Sequence, residues 1–342
     1  MKKSGSLNET INRSRNEKND EHYTQLSDIE NELKHYRHHF KGKVVLCNCD
    51  DPRCSNFFKY FTLNFELLGL KKVIATCYKS QDADLFSVGK CDKAVYQIYE
   101  GDKNKNRRVD SEDIEVKSFK GDGSFDSPEC LNLLKEADVV VTNPPFSRFR
   151  DFIKLLIEYD KKFLVIGNIF HAKAKDIFPH FKANRIWMGY YNGNMEFRVP
   201  DSYSSEGNRS WVDEKGQKWH SQGNIVWYTN LEIERRNETL PLFRKYDPAV
   251  NFKYFNYDAI DCKRYPDIPC DYDGEIGVPI TYLCHHNPEQ FELIGTSLSL
   301  ADMTNVKARL KKCDGGPTFY REKDGTIKRM FDRVVIKRRT AS

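Results

Sequence analysis

Short apolar runs alternate with amphipathic segments of helical period along residues 26–190. Apolar runs rich in β-branched residues favour strands covered on both faces, and the segments between them predict helices. This alternation predicts an α/β fold whose sheet is mostly parallel and carries helices on both faces. Residues 79–111, with an apparent hairpin, interrupt it. The predicted strands are 43–47, 72–77, 114–119, 138–142, 162–167, 185–188, 225–231 and 333–339.

Several predicted helices begin at serines that favour the N-cap position. Ser55 precedes a stripe of phenylalanines at helical spacing, which predicts a helix with a buried aromatic face. Ser127 is followed by proline, the preferred first residue of a helix. Ser27, with a glutamate three residues later, fits a capping box. A further helix at 172–183 is predicted to break near its proline.

Length, composition and charge limit the class of protein. The chain has 342 residues, 39% of them hydrophobic, which allows one large domain or about two ordinary ones. Its net charge of +5 gives mild support to a polyanionic partner. No apolar stretch approaches the roughly 20 residues of a membrane helix, and the polar N-terminus has no signal-peptide pattern. A cytoplasmic protein with no membrane partner and a mobile tail at residues 1–20 is expected.

The ten cysteines do not have the spacing of a zinc site. No Cys-x-x-Cys pair occurs in the sequence, and such pairs mark most structural zinc sites. The densest group combines Cys47, Cys49 and Cys54 with three histidines at residues 35–39. We therefore predict no metal site.

The apolar run at 138–142 ends abruptly in Asn143, Pro144, Pro145 and Phe146. Two prolines cannot continue a central strand, so the chain must leave the sheet at Asn143. An amide, a constrained backbone and an aromatic ring are then presented together at the carboxyl edge of the sheet. Ligands bind at that edge in open α/β folds.

This pattern suits the alkylation of an exocyclic amine on a purine ring, because the lone pair of such an amine is delocalised. Two hydrogen-bond acceptors can draw the nitrogen towards a tetrahedral geometry. The amide oxygen of Asn143 and the carbonyl of Pro144 can serve as these acceptors. Phe146 can stack on the base, which is worth roughly 1–3 kcal/mol. An ordinary proline-rich turn after a strand is the alternative.

Four predicted strands end in polar or turn-prone loops, at Asn48, Cys77, Asp122 and Asn143. Because the carboxyl ends of parallel strands meet at one edge, these loops are expected to lie together. Their convergence favours a functional site over an accidental motif.

With these loops in place, the sequence resembles the EcoRI-type adenine-specific DNA methyltransferases. The resemblance implies a Rossmann-like methyltransferase fold and transfer of a methyl group from S-adenosylmethionine to N6 of adenine in duplex DNA, with base flipping. It also implies the modification half of a restriction–modification system, or an orphan methylase. The residues that carry the resemblance are 20–33, 44–69, 138–152, 161–168, 277–281 and 287–291.

The resemblance also implies where S-adenosylmethionine binds. The expected cofactor-binding residues are Tyr23, Thr24, Cys47, Asn48, Cys49, Asp50, Asp51, Cys77, Tyr78 and Asp122.

Two features depart from the family pattern. No glycine lies between Val44 and Arg53, so the first loop is not of the common Gly-x-Gly form. Cys77 and Tyr78 stand where an acidic residue usually binds the ribose hydroxyls. That role falls to Asp50 or Asp51, unless these carboxylates only cap the loop.

The expected domains are the tail at 1–20, a catalytic domain at 21–239 and a DNA target-recognition region at 240–342. Basic and aromatic residues are mixed in the last region, as at 243–246, 252–255 and 307–312, and such mixing suits DNA contacts. We expect a monomer that acts on double-stranded DNA, with any cognate restriction endonuclease acting independently.

Three other functions share part of this pattern. An amino-methyltransferase acting on RNA or protein glutamine would not need the long C-terminal region. A non-catalytic DNA-binding module would not need a cofactor loop. A Rossmann dehydrogenase is disfavoured, because no Gly-x-Gly-x-x-Gly follows the first strand.

Overall fold

The computed structural model describes residues 22–49, 55–77, 94–201, 203, 209–254, 257–300, 319–321, 327–329 and 331–339. The predicted tail at 1–20 lies outside these ranges. The chain forms two compact units. Unit 1 comprises Met1–Asn168 and Tyr191–Leu231, and unit 2 comprises Ile169–Tyr190 and Glu232–Ser342.

A mixed sheet forms the centre of unit 1, and its strand order is β4-β3-β2-β1-β5-β6-β9-β7, with β8 paired to β9. The pairs β1–β2, β1–β5 and β5–β6 are parallel. The mostly parallel core predicted from sequence is confirmed. The strands are β1 Val44–Cys47, β2 Lys72–Thr76, β3 Val95–Tyr99, β4 Ile114–Ser118, β5 Val139–Thr142, β6 Lys162–Asn168, β7 Trp187–Arg198, β8 Ser210–Val212 and β9 Lys218–Thr229.

The strand order reverses its direction between β1 and β5. The chain moves from β1 to β2 on one side of this point and from β5 to β6 on the other. Because parallel crossovers are right-handed, connections that run in opposite directions place their helices on opposite faces of the sheet. The reversal is a topological switch point, and ligands bind outside the carboxyl ends of strands there.

The helices of unit 1 begin largely where the sequence predicts. The hydroxyl of Ser55 accepts a hydrogen bond from Phe58 N, and that of Ser127 accepts one from Cys130 N, both at 3.2 Å. The phenylalanine stripe that follows Ser55 is buried. The α-helices are α1 Leu26–Leu33, α2 Asn56–Leu63, α3 Phe65–Leu68, α4 Pro128–Glu136 and α5 Phe149–Glu158, and 3-10 helices span Arg37–His39 and Phe146–Arg148.

The capping box predicted at Ser27 is wrong. The N-cap residue of α1 is Gln25, which is extended and makes no side-chain cap. Ile29 N already donates to Gln25 O, so Ser27 lies inside the first turn. Tyr23 pairs with Arg198 in an isolated β-bridge, which keeps the chain extended just before the helix.

The parallel order of the sheet ends on both sides of its centre, because β9 pairs antiparallel with β6 and β3 runs against β2. β3 pairs antiparallel with β2, and β4 pairs antiparallel with β3. The predicted strand at 114–119 is therefore parallel to β2 but is not its neighbour. The apolar side chain of Ile98 pairs opposite Ile74, which explains why the hairpin joins the sheet.

Two strands are much longer than predicted. β7 covers Trp187–Arg198 where only 185–188 was expected, and β9 covers Lys218–Thr229 where 225–231 was expected. The added halves are largely half-buried or exposed, so no apolar run marks them in the sequence. Strand formation there depends on pairing, which the hydrophobic pattern does not reveal.

Unit 2 contains a four-stranded sheet of order β10-β11-β15-β12 and the separate hairpin β13–β14, within the described residues. The predicted helix at 172–183 is wrong. A 3-10 helix and a short α-helix replace it, and Pro179 lies in the first turn of the latter, where its missing N–H is not needed. The α-helices are α6 Phe178–Lys182 and α7 Ser297–Leu300, and the 3-10 helices are Ile169–Lys173, Glu234–Asn237, Tyr265–Asp267 and Ile280–His285. The strands are β10 Ala259–Asp261, β11 Glu275–Pro279, β12 Phe291–Thr296, β13 Phe319–Arg321, β14 Ile327–Arg329 and β15 Arg333–Arg338.

A buried ion pair lies in the core of unit 2. Arg333 Nε is 2.8 Å from Asp261 Oδ1, and the two side chains are 7% and 0% exposed. The hydroxyl of Tyr254 donates to the same carboxylate oxygen at 2.6 Å. Tyr254 therefore belongs to the core, although the sequence grouped it with surface aromatic residues of the recognition region.

By packing, unit 2 begins at Glu232 and also includes Ile169–Tyr190. The functional boundary at 239/240 remains a prediction. Across the parts of the chain that the structure describes, each helix is too short or too polar to cross a lipid bilayer.

Candidate active site

The side-chain amide of Asn143 is buried directly after β5, with 8% of the residue exposed. Its Nδ2 donates to the backbone carbonyl of His22 at 2.9 Å and to Thr24 Oγ1 at 3.3 Å. Its Oδ1 has no hydrogen-bond partner among the described residues. A buried amide oxygen without a partner carries a desolvation cost of about 1–3 kcal/mol, which an N–H donor on a ligand would recover.

Asn48 occupies the equivalent place after β1. It is 2% exposed, and within the described ranges its Oδ1 also lacks a partner. The hydroxyl of Thr142 donates to the backbone carbonyl of Asn48. Because β1 and β5 are paired neighbours, two buried amide oxygens flank the switch point from adjacent strand ends. This arrangement suits a ligand that presents N–H groups on both sides.

Phe146 is half-buried within a group of aromatic rings. Its ring centroid lies 5.4 Å from that of His22 and 6.3 Å from that of Phe197. His22 also contacts Tyr203 and His220, at 5.5 and 5.9 Å between ring centroids. Burial, with Arg209 nearby, lowers the pKa of His220 below its ordinary value. A wall of aromatic rings therefore adjoins the Asn-Pro-Pro-Phe loop.

The segment His22–Thr24 is fixed from two sides. Tyr23 N donates to Arg198 O at 2.9 Å and Arg198 N donates back at 3.1 Å. The side chain of Asn56 donates to Thr24 O at 2.7 Å. Thr24 itself is 2% exposed. The predicted residues Tyr23 and Thr24 therefore do lie beside Asn143, the first residue of the predicted catalytic motif Asn143–Phe146.

Cys49 adopts the left-handed conformation, with φ of 73°. This is the region that glycine favours, and other residues occupy it at a cost of order 1–2 kcal/mol. The second residue after β1 thus has a backbone conformation that glycine favours. Because no glycine is present here, Cys49 adopts this conformation and carries its strain.

The loop after β4 lies against the end of β2. Gly123 has φ of +73°, and a Cβ there would be 2.6 Å from Cys77 O. Asp122 is exposed, and its Oδ1 accepts a hydrogen bond from Ser124 N at 2.9 Å. The structure therefore brings the predicted residues Asp122 and Cys77 to one edge, with Asp122 also stabilising its own turn.

Arg148 anchors the 3-10 helix that follows the two prolines of the predicted catalytic motif. Its guanidinium lies 2.6 Å from Asp126, 3.3 Å from Ser124 Oγ and 4.3 Å from the centre of the Phe125 ring. The Arg148 guanidinium holds the pKa of the Asp126 carboxyl below its ordinary value. The loops that carry Asp122 and Phe146 are therefore linked to each other.

Sequence reasoning missed part of this site. His22 and Phe197 contact Phe146, Tyr203 and His220 contact His22, and Arg148 holds the loop. Phe197 and His220 lie in the long strands β7 and β9, whose polar halves give no clear pattern. Of the predicted cofactor residues, Asp50, Asp51 and Tyr78 lie outside the described residues.

Two further features lie outside this site. The described ranges contain no group of three His, Cys, Asp or Glu side chains placed to hold a metal ion. Unit 2 has an open cavity of about 550 Å³. None of the predicted catalytic or cofactor residues lines it, and its walls include Leu240, Leu242, Asn287, Gln290, Arg338 and Arg339.

A mixed sheet with parallel central strands and an Asn-Pro-Pro-Phe loop at its switch point is the arrangement expected of an amino-methyltransferase. The family profile "Adenine-specific methyltransferase EcoRI" matches residues 10–339. The chain belongs to this EcoRI-type adenine-specific methyltransferase family. The resemblance seen in the sequence is confirmed, and with it the prediction of an adenine-specific DNA methyltransferase.

Curated relatives agree with this result. The Type II methyltransferase M.EcoRI of Escherichia coli is 48% identical over 291 residues, which cover 84% of this chain and 89% of the relative. M.MpnI of Mycoplasma pneumoniae is 37% identical, and M.MgeORF184P of Mycoplasma genitalium is 35% identical. Both are also named Type II methyltransferases, and each comparison covers 96% of this chain and 98% of the relative. No solved structure matches the chain significantly.

Proposed function

We propose that this enzyme transfers a methyl group from S-adenosylmethionine to N6 of an adenine that it flips out of duplex DNA. The observation that carries the proposal is the buried Oδ1 of Asn143, which has no partner in the described part of the chain. The Nδ2 of the same amide is held by His22 and Thr24. The oxygen is therefore directed away from these two contacts and is free to accept an N–H.

The residues of the loop act on the amine of the adenine. Asn143 Oδ1 accepts one N–H and the carbonyl of Pro144 accepts the other, which localises the nitrogen lone pair for attack on the methyl group. Phe146 stacks on the face of the base. Pro145 fixes the backbone between these groups, because its ring restricts φ. When the methyl group is transferred, its bond to the sulfonium sulfur breaks and a neutral thioether leaves, so the nitrogen becomes positively charged and then loses a proton to solvent.

S-adenosylmethionine, when bound, supplies the electrophilic methyl group. The residues at the switch point fit it. The buried Asn48 Oδ1 is suited to accept an N–H from its ammonium group, and Cys47 and Cys49 flank Asn48. We assign Cys77 and Asp122 to the adenosine end, since Gly123 packs against the Cys77 carbonyl. Asp50, Asp51 and Tyr78 complete the proposed set, with an aspartate on the ribose hydroxyls.

A base in duplex DNA presents its amine only after it leaves the helix, and flipping costs a few kcal/mol. The half-buried ring of Phe146, with the aromatic wall behind it, offers a surface on which an extruded base can stack. Stacking of this kind is worth roughly 1–3 kcal/mol, which offsets part of the cost.

We assign recognition of the DNA sequence to residues 240–342. The stretch Phe243, Arg244, Lys245 and Tyr246 is exposed throughout, and Phe243 is 85% exposed. Exposed aromatic side chains next to cations suit stacking and phosphate contacts. The predicted basic run at 307–312 lies outside the described residues.

We also propose a cellular location, an oligomeric state and a biological role for the enzyme. The protein acts as a cytoplasmic monomer and is the modification half of a restriction–modification system or an orphan methylase. A cognate endonuclease would bind DNA independently, because a single chain carries both the catalytic motif and the proposed recognition region.

Incubation of the purified protein with radiolabelled S-adenosylmethionine tests the function. Duplex DNA, single-stranded DNA, RNA and protein are offered as substrates, and the products are digested and separated by mass. We expect N6-methyladenine from duplex DNA and little label elsewhere. A radiolabelled methyl group on RNA, on protein glutamine or on an atom of adenine other than N6 would contradict the proposal. Long-read sequencing of DNA from expressing cells then identifies the recognised sequence.

A further inference from the structure

An asparagine amide can face its surroundings in two orientations, because its oxygen and nitrogen are similar in size. Only one orientation presents an acceptor to the substrate amine. In the other, the NH₂ of Asn143 would face the NH₂ of adenine, and two donors cannot bond. The reaction therefore requires contacts that fix the orientation of the Asn143 side-chain amide.

We propose that Thr24 is a positioning residue that holds the Asn143 amide with Oδ1 towards the substrate amine, an inference that rests on the proposed function. Thr24 Oγ1 accepts from Asn143 Nδ2 at 3.3 Å, and the His22 carbonyl accepts from it at 2.9 Å. A carbonyl oxygen can only accept. Reversal of the amide would place its oxygen against the His22 carbonyl and would break that bond, so the carbonyl sets the orientation and the Thr24 hydroxyl holds the amide in place.

The position of Thr24 is itself fixed by the fold. The backbone of its neighbour Tyr23 is bonded to Arg198 in both directions, and Asn56 bonds to the Thr24 carbonyl. The side chain is 2% exposed and lies 119 residues before Asn143 in the sequence. The segment before α1 is therefore a rigid support for the catalytic amide.

This role differs from the cofactor contact that the family resemblance implies for Thr24. A cofactor contact would change the affinity for S-adenosylmethionine. A positioning contact would change the rate of methyl transfer at saturating substrates and leave both affinities nearly intact. The two roles can therefore be separated by measurement.

The kinetic test uses Thr24→Val, which keeps the shape and removes the hydroxyl, and Thr24→Ser, which keeps the hydroxyl. Loss of one neutral hydrogen bond of this kind changes an equilibrium by up to about tenfold. We expect Thr24→Val to lower the single-turnover rate about tenfold, with the affinities for DNA and S-adenosylmethionine changed less than about twofold. Thr24→Ser should restore the rate to within about threefold of the wild type.

A matched control and a second variant guard against a general folding defect. Thr62→Val removes another buried hydroxyl, which donates to Lys59 O at 3.2 Å on α2, and should leave the rate unchanged. Thr24→Ala removes the hydroxyl of Thr24 with less bulk and should repeat the loss of Thr24→Val. A weaker cofactor affinity with an unchanged transfer rate at saturation would overturn the proposal in favour of a cofactor contact.

Nuclear magnetic resonance of the side-chain amide gives a readout that does not depend on activity. The resonances of Asn143 Nδ2 are assigned by their loss in Asn143→Ala. We expect them to be protected from solvent exchange in the wild type and shifted and less protected in Thr24→Val, but unmoved in Thr62→Val. Resonances that do not respond to Thr24→Val would overturn the proposal. If the wild type does not methylate adenine, the proposed function fails, and this measurement still decides whether Thr24 holds the amide.

Discussion

The hydroxyl of Thr142, the last residue of β5, donates a hydrogen bond to the backbone carbonyl of Asn48, the first residue after β1. Both residues are buried, with 0% and 2% exposure. The bond joins the two strand ends on either side of the switch point. One side leads to the proposed cofactor loop and the other to the proposed catalytic loop, so this contact links the starts of the two loops.

Replacing Thr142 with valine should therefore affect both loops. The isosteric change removes the donor and leaves the Asn48 carbonyl buried without its partner, which should lower the free energy of unfolding by about 1–3 kcal/mol. We expect weaker binding of S-adenosylmethionine by calorimetry and a lower transfer rate. Thr229→Val is the matched control, because Thr229 is equally buried and its hydroxyl donates to Phe163 O at 2.7 Å in the same sheet. Thr229→Val should destabilise the protein without weakening the binding of S-adenosylmethionine. Equal losses of this affinity in both variants would argue that the Thr142 hydroxyl does not support the cofactor loop.

Strain at Cys49 gives a second prediction. With φ of 73°, this residue should accept glycine and resist β-branched residues. We expect Cys49→Gly to keep cofactor affinity within about threefold. Cys49→Val should weaken it about tenfold, because the added strain of order 1–2 kcal/mol opposes the bound loop. Equilibrium dialysis with labelled S-adenosylmethionine measures both, and equal affinity in the two variants would contradict a left-handed Cys49.

The ring of Phe146 provides a third prediction. If it stacks on the extruded adenine, Phe146→Ala should lose roughly 1–3 kcal/mol of stacking and lower the transfer rate and the flipped population together. A 2-aminopurine at the target position brightens when it leaves the stack and reports that population. Phe65→Leu, a change in the core of unit 1 beside Tyr99, serves as the control. An unchanged brightening in Phe146→Ala would show that the ring does not hold the base.

Much of unit 1 could be predicted from local sequence. The apolar runs located β1, β2, β5 and β6, a weak alternation located β4, and the serines at 55 and 127 marked two helix starts. The convergence of Asn48 and Asn143 also followed from the pattern, because neighbouring parallel strands fix where their loops meet. These features depend on short-range propensity and on one topological rule.

The remaining features depend on contacts between distant parts of the chain. The backbone of His22 meets Asn143 across 121 residues, and its ring meets His220 from the far end of β9. Residues 192–196 and 218–224 are too polar to be recognised as strands from the sequence. Pairing with neighbouring strands nevertheless makes them part of β7 and β9. Ser27 had the residue type of a cap, but the bridge between Tyr23 and Arg198 sets where the helix begins.

The exposed stretch at 243–246 gives a fourth prediction, for DNA binding. Lys245→Ala should weaken binding to all duplexes alike and reduce the slope of log affinity against log salt by about one. Lys135→Ala is the control. That exposed lysine lies near the end of α4, which leads to the amino end of β5 and so to the edge of the sheet opposite the catalytic loop. Fluorescence anisotropy at several salt concentrations measures both variants, and an identical slope in Lys245→Ala and the wild type would remove Lys245 from the phosphate contacts.

The account centres on Asn143 Oδ1 as an acceptor for the adenine amine. Asn143→Ala removes that acceptor and leaves Asn48, at the end of the neighbouring strand β1, unchanged. The most direct measurement is the single-turnover rate of N6-methyladenine formation in duplex DNA by Asn143→Ala, with calorimetry of S-adenosylmethionine on the same sample. We predict loss of methyl transfer by at least about a thousandfold, with cofactor affinity kept within tenfold. Methyl transfer near the wild-type rate would contradict the account.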